Sequence, residues 1–145
     1  MKKLIVAATL TLTAGAAVAS TTIPRLDAQL VNGYLEVAPV TRAINNAQTG
    51  TLTAIAARGG FVKNNFDFTV SSNVVAGVSD DFANNRFGVI AGSNKGYGVY
   101  TGSSVGGSIA QCGALIADKN TANLAATLVV TGNLVLNNPN GCGRQ

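Results

Sequence analysis

The residues of this chain best suited to covalent chemistry are its two cysteines, Cys112 and Cys142, which lie near the C-terminus. An even count leaves one possible pairing and no spare thiol. The pair lacks C-x-x-C spacing, and the chain contains no histidine to complete a zinc site. In the chain-entropy model, closing a loop of about 30 residues destabilises the unfolded state by roughly 3.6 kcal/mol. We therefore predict a structural disulfide and favour it over a redox or metal role.

Other catalytic groups are scarce. The absence of histidine removes Ser-His and Cys-His catalysis together with the commonest metal ligand. The spacing of the six carboxylates brings no two of them to one site for paired acid–base chemistry. They are Asp27, Glu36, Asp67, Asp80, Asp81 and Asp118. The sequence therefore predicts no enzyme, no catalytic residue, no metal and no cofactor.

Three local patterns have a possible chemical role. Asp80-Asp81 is interpreted as a solvated turn, because the D-x-[DN]-x-[DN]-G pattern of a calcium loop is missing. Lys95 lies near several serines, but the S-x-x-K spacing of a Ser-Lys dyad is absent. Tyr97 and Tyr100 beside that lysine have the composition of a stacking site for a base or sugar ring. Tyrosines are common in edge strands, however, and we favour that interpretation.

The sequence gives no indication of nucleotide or nucleic-acid binding. The glycine-rich run 92–107 contains neither a P-loop nor a G-x-G-x-x-G motif that opens a helix. The basic residues are scattered along the chain, whereas a phosphate-binding surface needs a cluster of positive charge. Removal of Lys2 and Lys3 with a leader lowers the net charge from +4 to +2. We therefore expect no nucleic-acid partner.

The first twenty residues have the layout of a bacterial secretory signal peptide. Lys2 and Lys3 precede an apolar run over residues 4–18, which ends in the A-x-A sequence of residues 17–19. A retained anchor is disfavoured because the run is shorter than the roughly 20 apolar residues that a bilayer requires. We expect cleavage after Ala19 or Ser20. Residues 21–145 then form a single exported domain, without a transmembrane segment, in the periplasm, on the cell surface or outside the cell.

The elements expected to position these groups begin with a helix. Asp27 stands where an N-terminal acid or cap is expected, and apolar residues then recur at helical spacing. They are Leu26, Leu30, Val31, Tyr34, Leu35 and Ala38. This pattern predicts an amphipathic helix that Pro39 ends or kinks, so that one kinked helix and two short helices are both compatible. The second piece carries Val40, Ile44 and Ala47.

Beyond residue 49 the pattern changes to that of strands. The clearest is 66–71, where Phe66, Phe68 and Val70 share one face and polar residues the other. Further strands are predicted at 51–55, 74–78, 86–91, 98–101, 108–112 and 124–130, and Gly132-Asn133 is expected to turn a last hairpin. The predicted fold class is therefore α+β. An N-terminal helix packs on an antiparallel β-meander, and one disulfide closes the C-terminal loop.

This order of helix, sheet and cysteine pair resembles the globular half of type IV pilins. Residues 108–112 and 140–142 would bracket the C-terminal loop of such a domain. A pilin leader is cut before an apolar helix that contains a glutamate, whereas this leader ends in Ala-Val-Ala. The resemblance is thus one of architecture, and it implies assembly into larger structures.

We interpret the chain as an exported bacterial structural or interaction protein, a subunit of a cell-surface or extracellular assembly. Its composition is rich in small residues and asparagines, which permit close approach between subunits and side-chain ladders. The expected partner is a second copy or another surface protein. The alternatives are a small secreted binding or membrane-active factor, such as an inhibitor or bacteriocin, and a pilin-like subunit.

Overall fold

The computed structural model describes residues 25–39, 45–116 and 127–144, which form two β-sheets. The strands are β1 (Ala28–Gln29), β2 (Gly33–Ala38), β3 (Gln48–Thr53), β4 (Phe66–Val70), β5 (Val74–Asp81), β6 (Arg86–Ser93), β7 (Val99–Ser103) and β8 (Ala110–Gln111). One sheet has the order β1-β3-β4 and the other β2-β5-β6-β7-β8. Short 3₁₀ turns occur at Ala56–Arg58, Thr131–Asn133 and Pro139–Gly141. Within the described residues, no helix is long and apolar enough to span a membrane.

The predicted N-terminal amphipathic helix, and with it the α+β class, is wrong. Its residues form β1, β2 and the irregular segments before and between them, and the described part of the chain contains no helix of seven or more residues. The backbone N–H of Leu30 donates to the carbonyl of Thr53 at 2.9 Å, which continues the parallel pairing of β1 with β3 by one residue. Gly33 has a φ of +117°, outside the range of a right-handed helix. The fold is β-rich.

Burial on both faces explains why β2 imitates a helical pattern. Tyr34 packs against one hydrophobic cluster, while the next residue, Leu35, packs with Val37 in the other. A strand covered on both sides carries consecutive apolar residues, and these also satisfy helical spacing. A β-bulge between Glu36 and Ala38 breaks the alternation further.

The predicted helix kink at Pro39 is also wrong, because the residues before Pro39 form β2 and not a helix. Val40 and Ile44 lie outside the described residues, and Ala47 is exposed just before β3. The resemblance to pilins depended on a helix ahead of the sheet. The correction of that helix removes the architectural basis for a pilin-like subunit.

Two hydrophobic clusters lie on opposite faces of the five-stranded sheet. On one face, Val75, Ile90 and Val99 pack against Val129 and Leu134 of the C-terminal segment, residues 127–144. On the other face, Val78 of β5 packs with the clustered side chains Leu30, Val37 and Leu52. The C-terminal segment therefore covers one face, and the three-stranded sheet covers the β2–β5 side of the other.

The C-terminal segment is held by a disulfide, not by the predicted hairpin. Cys112 follows β8 and bonds to Cys142 with 5.2 Å between their Cα atoms, which is the pairing that the sequence allows. Gly132 lies in a 3₁₀ turn, and Leu134 forms an isolated bridge with Cys142. Of the last predicted strand, residues 124–126 lie outside the described residues, and 127–130 form no strand. The predicted terminal hairpin is therefore wrong.

Candidate interaction surface

The face of the five-stranded sheet that carries the smaller sheet is left open by the described residues over β7 and the Ala91 end of β6, whereas Phe87 and Val89 of β6 pack at the edge of the cluster under the smaller sheet. On this face Val89 of β6 lies opposite Gly102 of β7, and Ala91 lies opposite Tyr100. Alternate residues of a strand share a face, so these four positions form one continuous floor. Tyr100 is 51% exposed, Val89 and Ala91 are half-buried, and Gly102 is buried.

Two adjoining cavities lie along this floor, and we call them together the apolar groove. One, of about 350 Å³, is lined by Val89, Gly102, Phe61 and Ile109 among others. The second, of about 300 Å³, is lined by Ala91, Tyr100, Tyr97 and Leu115 among others. No charged residue lines either cavity.

Two loop residues, Ile109 and Leu115, pack over glycines. Ile109 lies over Gly102, and Leu115 lies over Gly98. A methyl group added to Gly102 would lie 3.0 Å from Cγ1 of Ile109, and one added to Gly98 would lie 3.1 Å from Cδ2 of Leu115. Because glycine has no side chain, Ile109 and Leu115 can approach the backbone at these two positions closely. Ile109 nevertheless remains 71% exposed and Leu115 58% exposed. Large apolar side chains exposed together are typical of interaction sites.

One end of the groove is formed by stacked aromatic rings. Phe61 and Phe87 have ring centroids 6.3 Å apart and an interplanar angle of 13°. The loop that carries Phe61 is fixed by Asp80, whose Oδ1 accepts from the N–H of Phe61 at 2.7 Å and whose Oδ2 accepts from that of Val62 at 3.4 Å. Asp80 is fully buried within β5. Its interpretation as part of a solvated turn is therefore wrong, and its role is to anchor this loop.

Asp81 is the last residue of β5, where it pairs with Arg86, and its side chain stabilises the turn that follows. Its carboxylate accepts hydrogen bonds from Nδ2 of Asn84 at 2.8 Å and from the backbone N–H of the same residue at 3.1 Å. These bonds, the side-chain bond first, lower the pKa of Asp81. Within the described residues, no three cysteine, aspartate or glutamate side chains come together as a metal site.

Two carboxylates that the sequence leaves apart meet on the three-stranded sheet. Arg25 lies between them, with Nε 3.2 Å from Oδ1 of Asp27 and Nη2 3.5 Å from Oδ1 of Asp67. Thr51 of β3 donates from its hydroxyl to Asp67 at 2.6 Å. The hydrogen bond from the backbone N–H of Thr51 is the main cause of the lowered pKa of Asp27, and Arg25 adds to it. An exposed, ion-paired carboxylate of this kind is a poor general acid.

The structure does not bring the remaining candidate residues of the sequence together at one site. Tyr97 and Tyr100 line one cavity of the groove, whereas Lys95 does not line it. Glu36 is exposed on β2, and Asp118 lies outside the described residues. Sequence reasoning missed the groove because its loop residues become neighbours only through long-range pairing.

No protein-family model, no curated protein and no solved structure matches this chain. The functional argument therefore depends on the groove and on the sequence.

Proposed function

We propose that this protein is an exported bacterial structural subunit that associates with further copies of itself on the cell surface or outside the cell. The observation that carries the proposal is the apolar groove, an uncharged half of a sheet face with large side chains exposed along it. Large apolar side chains exposed together, here Ile109 and Leu115, are typical of interaction sites.

A second copy is the occupant that the chemistry of the groove favours. A surface without charge has no ion pairs to offer a charged partner. Its contribution to binding comes from the burial of apolar surface, which stabilises a complex by roughly 25 cal/mol per Å² removed from water. The chain itself also exposes large apolar side chains outside the groove, such as Phe66 on the smaller sheet. A contact that places such a side chain in the groove of the next copy is heterologous, and it can repeat without closing into a dimer. Sheets that pack face to face are spaced about 10 Å apart, a distance that apolar side chains fill. The small net charge of +2 without Lys2 and Lys3 gives little repulsion against association.

Export is supported by two independent features. The first twenty residues carry the pattern of a cleaved leader. The bond between Cys112 and Cys142 persists best in an oxidising compartment. The proposal includes no catalytic activity.

The alternative is a small secreted binding factor that uses the same groove as a monomer. Tyr97 and Tyr100 in a single cavity favour it, because aromatic rings provide large rigid contact area for a ligand. The two proposals differ in the oligomeric state that they predict for the exported protein.

The test separates assembled from free protein. Producing cells are sheared, the released material is ultracentrifuged, and pellet, supernatant and periplasm are probed on a non-reducing gel. We expect the wild-type chain in the high-speed pellet. Ile109→Asp places a charge in the groove and should move the protein to the supernatant as a disulfide-closed monomer.

The matched control is Val130→Asp, which changes a residue that is 39% exposed on the C-terminal segment, outside the lining of the groove. This variant should remain in the pellet. A wild-type protein recovered as a soluble monomer would contradict self-association and direct the search to a ligand of the groove.

A further inference from the structure

A third cavity, of about 420 Å³, lies apart from the groove and differs from it in its chemistry. It lies between the 3₁₀ turn at Ala56–Arg58 and residues 63–65, and its wall combines polar and basic side chains with the apolar residues 54–57. Gln29, Arg58, Lys63, Asn64 and Asn65 contribute to its wall. No aspartate or glutamate lines it.

The charged groups of this cavity are hydrogen-bond donors, and the side-chain acceptors that remain are neutral oxygens such as those of Gln29 and Asn64. The guanidinium group of Arg58 has no hydrogen bond or ion pair within the described residues. Lys63 donates one bond from Nζ to the carbonyl oxygen of Arg58 at 3.1 Å and has two further N–H groups. Asn65 accepts from the N–H of Ala54 through Oδ1 at 2.9 Å, and this bond leaves its Nδ2 as a donor.

The carbonyl acceptors at the end of β3 are already engaged. Nε2 of Gln29 donates to the carbonyl oxygen of Ala54 at 2.6 Å and to that of Thr53 at 3.3 Å. The cavity thus has two cationic donor groups, and its acceptors are neutral. Such a wall suits a ligand that accepts hydrogen bonds and carries negative charge.

The turn that places Arg58 beside the cavity has an unusual backbone. Ala57 and Arg58 have φ values of 56° and 55°, two successive non-glycine residues in the left-handed region. Conformations of this kind persist where the surrounding structure holds them, and they are concentrated at ligand sites. Here the N–H of Arg58 bonds to the carbonyl oxygen of Ile55 at 2.9 Å, and Lys63 bonds to the carbonyl of Arg58 at 3.1 Å.

We propose that this cavity binds an oxyanion, the carboxylate, phosphate or sulfate group of a small molecule or polymer outside the cell. The planar fork of Arg58 binds two oxygens of such a group at once, and Lys63 adds a compact positive charge. The site is independent of the proposed self-association, because none of its lining residues lines the groove.

The experiment titrates the full chain at low ionic strength with sodium phosphate, sodium sulfate and sodium glucuronate, followed by NMR chemical shifts and calorimetry. We expect saturable binding of at least one probe, with shifts confined to residues around the turn. Arg58→Gln should weaken it about tenfold or more, Lys63→Gln should weaken it less, and Arg58→Lys should keep part of the affinity, as expected for loss of a bidentate charged contact.

The control is Lys95→Gln, which removes one positive charge from an exposed turn that does not line the cavity. It should leave binding unchanged, and thermal unfolding verifies that each variant is folded. The ranking of the three probes identifies the source, because an acidic sugar favours glucuronate and a phosphate-bearing polymer favours phosphate. Absence of saturable binding to the wild type, or equal weakening by Lys95→Gln, would overturn the proposal.

Discussion

The hydroxyl of Tyr34 donates a hydrogen bond to the backbone carbonyl oxygen of Val129 at 3.1 Å, across a separation of 95 residues. This bond joins β2, at one edge of the larger sheet, to the segment that covers its face. Gly77 of β5 makes room for the tyrosine ring, since an added methyl group there would overlap it. The ring is therefore fixed between the sheet and the C-terminal segment.

The first prediction concerns alkaline stability. Burial, with the charge of Glu36 as a lesser cause, raises the pKa of Tyr34 to about 12 from an ordinary value of 10.0. As the pH rises above about 10, the unfolded chain releases this proton before the folded chain does. The stabilisation is therefore complete below pH 10 and is lost progressively between about pH 10 and 12.

The measurement is urea unfolding from pH 8 to 12. Tyr34→Phe should lose about 1 kcal/mol at neutral pH through the missing hydrogen bond, and its stability should decline less steeply in alkali. Tyr100→Phe, at an exposed position of β7, is the control and should follow the wild-type curve. If the free energy of unfolding of Tyr34→Phe and that of the wild type fell in parallel above pH 10, the raised pKa of Tyr34 would be contradicted.

The second prediction concerns the buried carboxylate of Asp80. Asp80→Ala leaves the backbone N–H groups of Phe61 and Val62 without their acceptor in a partly buried site. We expect the free energy of unfolding to fall by about 2–4 kcal/mol, since each such group contributes on the order of 1–3 kcal/mol when its partner is removed. Asp80→Asn retains one acceptor oxygen and should lose less.

Chemical denaturation measures these losses, with Asp67→Ala as the control because its carboxylate is exposed and lies in a surface ion pair. That variant should change stability by less than about 1 kcal/mol. Similar losses for the alanine variants of Asp67 and Asp80 would exclude a special anchoring role for Asp80.

The third prediction is a stabilising substitution. Thr101 of β7 is completely buried, and its Oγ1 has no hydrogen-bond partner within the described residues. Thr101→Val keeps the shape of the side chain and removes the unsatisfied hydroxyl, so we expect a gain of about 1 kcal/mol. Thermal unfolding should show a higher Tm, while Thr69→Val at an exposed site of β4 should leave it nearly unchanged. A lower Tm for Thr101→Val would show that the hydroxyl has a partner in solution.

The parts of the fold that the sequence predicts are those with a local physical cause. Phe66, Phe68 and Val70 alternate with polar residues, and this stretch forms β4. The disulfide follows from having two cysteines in a chain with a leader-like start.

The remaining features depend on contacts between residues far apart in the chain. Tyr34 and Leu35 imitate a helix only because two different layers cover β2. Asp80 carries the signature of a turn, but amide groups of a loop about twenty positions earlier surround it. Ile109 and Arg58 show no local pattern at all, since the groove and the basic cavity form only after the strands have paired.

The last prediction concerns the disulfide between Cys112 and Cys142, which encloses a separation of 30 residues. A loop of this length stabilises the folded chain by about 3–4 kcal/mol in the chain-entropy model. Cys112→Ala combined with Cys142→Ala should therefore lower the free energy of unfolding by about that amount, and dithiothreitol should lower that of the wild type similarly. The double variant is its own control, because the reductant should not change its urea midpoint. A loss below about 1 kcal/mol would mean that packing of Val129 and Leu134, rather than the covalent bond, holds the C-terminal segment on the sheet.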